Sequence, residues 1–247
     1  MRSRIRLSSP IPLYKGNFTS ATIACKCAQF TYPVSTSIPS DTLNTQTIAA
    51  VPTEPVWRLS VEQYHQMIRL GILSDDDPVE LLDGWLVYKM PKNPPHRATT
   101  KLTRNALEAV IPEGWYVDTQ EPITLADSEP EPDVVVVRGN TRDYLDRHPG
   151  AADIALIIEV ADSTLDRECP GDTLRERISK QRLYARAGIP IYWIINLPEK
   201  QIEVYTEPVV AEESIYQHRQ DYQLSDEVPV AIAGQIVSRL SVLDLLP

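Results

Sequence analysis

Glu131-Pro132-Asp133-Val134-Val135-Val136-Val137 and Ile154-Ala155-Leu156-Ile157-Ile158-Glu159 are the two stretches that decide the fold. Each contains a short run of aliphatic residues, the pattern of a strand buried on both faces. Each run has a carboxylate at one end: Asp133 precedes the first and Glu159 follows the second. If these strands pair antiparallel, the start of one lies beside the end of the other, and both carboxylates project at one edge of the sheet. Two ionised carboxylates so placed repel and lose hydration, which is costly unless something compensates them. A divalent cation is the natural compensation, because Mg²⁺ takes one or two carboxylates and keeps its waters for a phosphate. Such a site can bind a phosphodiester and activate water. Glu159 also follows five residues of which four are large and apolar, so it needs a partner more than a surface glutamate does.

Working outward, Tyr192-Trp193-Ile194-Ile195 reads as a third buried strand, paired in a hairpin with residues 201–205. Residues 173–187 form a basic helix that carries Arg175, Arg177, Lys180, Arg182, Tyr184 and Arg186 and is closed by Gly188 and Pro190. This helix is the best local phosphate-binding face in the chain, with Arg182 as a candidate contact. Upstream, Ser60 with Gln63 makes a capping box for a helix ending near Leu70 and Gly71. Residues 79–90 read as a hairpin about Asp83-Gly84, with Glu80 in its first strand. Residues 96–111 read as a helix beginning at His96, residues 115–125 as an extended segment broken by Pro122, and residues 139–153 as a polar loop. Residues 206–227 read as loop-rich, and residues 228–246 as a strand followed by a short helix started by Ser241. This order makes a mixed α+β (α/β) domain around a central mixed sheet.

Composition narrows the function classes. The apolar share of 43% is enough for a core, and no run approaches the roughly 18 apolar residues of a membrane helix. A soluble, cytoplasmic protein is therefore expected, and sparse cysteines (Cys25, Cys27 and Cys169) fit reduced thiols. Cys25-x-Cys27 has no second ligand pair, so no zinc site is expected there. The net charge is −10; residues 1–40 hold five cations and no acid, which leaves −15 for residues 41–247. A basic sheath for nucleic acid is thus absent at the level of net charge, and any such binding needs local cations. No glycine-rich phosphate loop supports a dinucleotide-binding enzyme.

Taken together, several segments carry a family resemblance. They are Val79-Glu80-Leu81-Leu82-Asp83-Gly84, His96 with its helix, Glu131 to Val136, Ile158-Glu159-Val160-Ala161-Asp162-Ser163-Thr164, Lys180 to Pro190, and Tyr192-Trp193-Ile194-Ile195. In order and spacing they resemble the bacterial putative restriction endonuclease family of the PD-(D/E)xK superfamily. The resemblance covers roughly residues 57–247. It implies a restriction-endonuclease-like core flanked by helices and Mg²⁺- or Mn²⁺-dependent cleavage of DNA. A homodimer is a separate expectation that the resemblance does not itself supply. By position the resemblance implies Asp133 and Glu159 as metal-binding carboxylates, and Glu80 as a third ligand or water-orienting group. It implies Lys180 as the amine that holds the attacking water or offsets phosphate charge, and His96 as a phosphate contact or, by preference, a helix cap. Two positions depart from the pattern. Ala161 stands where the superfamily has lysine two residues after the glutamate, and Asn196 stands where the family often shows aspartate. The alternative function is a catalytically silent nucleic-acid-binding or protein-interaction domain of the same fold.

Residues 1–55 are rich in Ser, Thr and Pro and lack periodicity, so they read as a disordered or loosely attached extension, with the domain at residues 56–247. Limited proteolysis should trim this extension and leave a stable fragment beginning near Trp57; full-length resistance would refute it.

Overall fold

The structure is a computed structural model. It describes residues 57–74, 76–89, 91–162, 173–211 and 214–247, with the backbone alone over 173–179. The extension at 1–55, the three cysteines, the loop at 163–172 and the side chains of Arg175 and Arg177 lie outside the described residues. In chain order the elements are α1 (Val61–Arg69), β1 (Val79–Leu82), β2 (Trp85–Tyr88), α2 (Pro94–Glu108), β3 (Trp115–Asp118), β4 (Val134–Arg138), β5 (Ile154–Ala161), α3 (Thr173–Arg186), β6 (Ile191–Asn196), β7 (Gln201–Val209), β8 (Ile215–Gln223), β9 (Glu227–Ile232), β10 (Gln235–Ser241) and α4 (Val242–Leu245).

Six strands form one mixed sheet in the order β3-β4-β5-β6-β7-β8. All neighbours are antiparallel except β5 and β6, which run parallel on either side of α3. Residues alternate between its two faces. Val134, Val136, Leu156, Ile158, Val160 and Trp193 pack on the side of α2, α4 and β9, where Leu107, Val242, Leu245 and Val230 lie. Val135, Val137, Ile157, Tyr192 and Ile194 pack on the other side against Leu183, Tyr184 and Ala185 of α3. Both faces are covered, which is why β4 and β5 read as unbroken apolar runs.

The turn Asp83-Gly84 has φ of 51° and 77°, the primed hairpin that its sequence demands. It fastens β1 to the core: Gly84 N donates to Asp127 O (2.9 Å), and Glu129 N donates to Leu81 O (2.7 Å). The capping box at Ser60 also forms.

Three expectations are corrected. The region read as loop-rich, 206–227, contains the end of β7 and all of β8. β8 is an edge strand exposed along most of its length, so its polar residues mimic a loop. The C-terminal strand is a hairpin, β9–β10, whose turn passes through Ala233 (φ 49°) and Gly234 (φ 79°); an alanine in the left-handed region gives no turn signal. Helix α2 starts two residues before His96, at Pro94, capped by Asn93.

Gly84 tests how firmly the hairpin is seated. A Cβ there would meet Arg58 Cβ at 2.7 Å in addition to the φ strain, whereas Gly71 (φ +68°) has nothing within 4 Å. Gly84→Ala should destabilise by about 3 kcal/mol and Gly71→Ala by about 1 kcal/mol, read from denaturant midpoints. Equal losses would mean that the hairpin turn is not packed against Arg58.

Candidate active site

The antiparallel pairing of β4 with β5 aligns Val134 with Ile158, which sets Asp133 beside Glu159 at one end of the sheet. By alternation both lie on the face that α3 covers. Asp133 is buried, and its Oδ2 accepts a 2.9 Å hydrogen bond from the backbone N–H of Val160. His96 Nε2 stands 3.0 Å from the same oxygen, and Lys92 Nζ is 3.4 Å from Oδ1. The imidazole arrives from the N-terminus of α2, on the opposite side of the sheet. His96 therefore does more than begin a helix, and its Nδ1 is buried without a hydrogen-bond partner among the described residues.

Glu159 is met from α3. Tyr184 donates its hydroxyl to Glu159 Oε1 at 2.7 Å, and Lys180 Nζ lies 3.2 Å from that oxygen. Lys180 also lies 3.3 Å from Glu80 Oε1. Glu80, buried in β1, accepts the Glu131 N–H at Oε2 (3.1 Å), and Glu131 in turn takes Lys89 Nζ at 2.6 Å. The C-terminal end of α3 is tied to the hairpin through Arg186, 3.1 Å from Asp83 and 2.9 Å from Asp127. This link brings Lys180 onto Glu80 across two elements that do not share a sheet.

The sequence-predicted residues thus divide. Glu80, Asp133, Glu159 and Lys180 converge, with His96 on Asp133. Arg182 is exposed and stands apart from these contacts. Lys180 does not behave as a solvated helical charge: its side chain is 9% exposed and sits between two carboxylates. Tyr184 and Lys92 were missed as partners. The spacing of Lys180 and Tyr184, four residues on one helix face, was the signal available for the first. Lys92 precedes α2 and carried none.

The electrostatics follow from crowding. Burial is the main force on Glu159; the charges of Asp133 and Glu80 add to it, while Lys180 and Tyr184 oppose it, and the carboxyl is pushed up to about 7. Burial also works against the Asp133 carboxylate, but the hydrogen bond and charge of His96, the Val160 N–H and Lys92 outweigh it and hold the group below its ordinary value. The folded protein therefore keeps a proton on Glu159 to higher pH than the unfolded chain. Its contribution to stability falls as pH rises from about 4.5 to about 7 and is level above. In chelator, Glu159→Gln should remove this dependence. Its stability relative to wild type should improve by up to about 3 kcal/mol between pH about 5 and about 8. A pH-independent difference would place Glu159 in an ordinary environment.

Comparisons with known proteins bear on the family and the fold. The model of the Uma2 family, described as "Putative restriction endonuclease", matches residues 61–240. Among solved structures, a protein of Anabaena variabilis described as a putative nuclease belonging to DUF820 superposes with a TM-score of 0.55 at 16% identity, covering 76% of this chain and 97% of that one. No curated protein matches the sequence. The likeness to the Anabaena structure shows the fold; the family model, matching most of the chain, shows that this protein belongs to the Uma2 putative restriction endonuclease family.

Proposed function

We propose that the protein is a divalent-metal-dependent endonuclease that hydrolyses phosphodiester bonds of DNA. The observation that carries this reading is the meeting of Glu80, Asp133 and Glu159 with the amine of Lys180 at one end of the sheet. The donor set suits Mg²⁺ or Mn²⁺, since it is made of carboxylate oxygens and contains no thiolate. Asp133 Oδ2 is taken by Val160 and His96, and Glu159 Oε1 by Tyr184 and Lys180. Asp133 and Glu159 would hold the ion, with Glu80 as third ligand or as the group orienting water, and the ion would compete with Lys92 for Asp133 Oδ1. Crowding that raises Glu159 to about 7 marks a place where a cation would be welcome. When bound, such an ion supplies charge stabilisation for the phosphate and a more acidic water.

The chain's own residues do the positioning. His96 and the Val160 N–H fix the Asp133 carboxylate, and Tyr184 fixes that of Glu159. Lys180 offers a compact ammonium that holds the attacking water or offsets charge on the phosphate as it reacts. Arg182, exposed on α3, is a candidate contact for the DNA backbone, which an acidic protein must attract locally.

A second reading rests on Ala161 and on the pairing of Lys180 with both glutamates. A cluster already compensated by its own lysine could belong to a domain that binds nucleic acid or protein without turnover.

Cleavage of plasmid and linear DNA in Mg²⁺ or Mn²⁺ separates the two. Asp133→Asn and Glu159→Gln should abolish it, and Lys180→Ala should lower it about a hundredfold or more. Because Lys180 is buried between carboxylates, Lys180→Ala should also cost about 3 kcal/mol in chelator, and Mg²⁺ should restore part of that loss by replacing the missing charge. Arg182→Ala should weaken binding mildly and in a salt-dependent way. Undiminished cleavage by Lys180→Ala would remove it from the mechanism, and no cleavage under any condition by the wild type would favour the silent domain.

A further inference from the structure

We propose that His65, Glu129 and His148 form a Zn²⁺ site separate from the carboxylate cluster. One ligand atom from each of the three lies within 4.8 Å of the others. Two imidazoles and one carboxylate, with a fourth position left open, are a donor set that suits zinc; Mg²⁺, which favours oxygen ligands alone, is poorly matched. Tetrahedral zinc with bonds of about 2.0–2.1 Å needs ligand atoms roughly 3.3 Å apart, so no pair must move by more than roughly 2 Å.

The three residues come from separate segments, and each is held in place. His65 lies on α1, with Nε2 2.7 Å from Glu129 Oε2. Glu129 is buried, its N–H is bonded to Leu81 O, and its Oε2 also accepts the Thr124 hydroxyl at 2.8 Å, a supporting contact of the kind that orients metal ligands. His148 is exposed, but its backbone is fixed. Thr124 N donates to Pro149 O (2.9 Å), and Arg147 bonds both the His148 carbonyl and Asp153. All three residues line a cleft of about 690 Å³, into which the fourth position opens to water.

A hydrogen-bonded His65–Glu129 pair alone would account for the 2.7 Å contact, but it would make no use of His148. The ion would have a structural consequence as well. Tyr64 is the one residue of α1 that is buried, so a bridge from His65 to Glu129 and His148 would clamp this helix to the domain.

The test uses the full chain with Cys25, Cys27 and Cys169 changed to Ser, stripped with chelator and titrated calorimetrically with Zn²⁺. One equivalent should bind, and the thermal midpoint should rise with Zn²⁺. Co²⁺ should give the visible absorption of a tetrahedral centre. Binding should persist in Asp133→Asn/Glu159→Gln, and should weaken about a hundredfold or more in His148→Ala, whose exposed side chain is not needed for folding. Glu129→Gln and His65→Ala should behave like His148→Ala. The proposal is overturned if folded protein takes up no Zn²⁺, if His148→Ala binds as tightly as its parent, or if binding vanishes in Asp133→Asn/Glu159→Gln.

Discussion

Three carboxylates, Glu80, Asp133 and Glu159, are crowded into a nearly dry corner at the end of a sheet, and much of the surrounding structure compensates their charge. The pairing of β4 with β5 creates the problem by aligning Asp133 with Glu159. The answers come from every side. A backbone N–H and an imidazole serve Asp133, a phenol serves Glu159, and one ammonium is shared between Glu159 and Glu80. Leaving any of these charges without a partner would cost more than the pairs contribute, so the contacts act as a unit.

The position of the lysine shows how such a unit tolerates rearrangement. Ala161 leaves the end of β5 without an amine, yet Lys180 reaches the same carboxylates from α3 because its four-carbon stem spans the gap between helix and strand. The arrangement is precise only if α3 is held firmly. Two features hold it: Arg186 ties its C-terminal end to the hairpin that bears Glu80, and Tyr184 packs 5.2 Å, centroid to centroid, from Tyr192 of the sheet. The amine is thus supported by a helix rather than by a loop, which suits the positioning role proposed for it.

Net charge is a poor guide in this setting. At −10 the chain as a whole repels a polyanion, but the cations of the proposed function act locally: Lys92 and Lys180 pair with the acidic cluster, and Arg182 is exposed on α3 apart from it. Over distances beyond about 8–10 Å, salt screens the remaining negative surface. Affinity for DNA in such a protein would depend on these few cations and on a bound ion more than on the average field.

By itself the sequence determined the elements whose signal is local. The buried runs of β4, β5 and β6, the capping box at Ser60, the Asp83-Gly84 turn and the carboxylates at two strand ends are all written in neighbouring residues, as hydrophobic period and turn chemistry. Elements lacking such a signal were decided elsewhere. β8 is polar because it is an edge, and it is a strand only because β7 lies beside it. The β9–β10 turn carries an alanine in the left-handed region, which the paired strands impose. The same division runs through the site. Sequence placed Asp133 and Glu159 on one edge; only packing brought His96 through from the far side of the sheet and gathered Lys180 and Tyr184 onto Glu159. It alone brought His65, Glu129 and His148 together from three segments, because contacts between distant residues are set by how layers stack rather than by spacing along the chain.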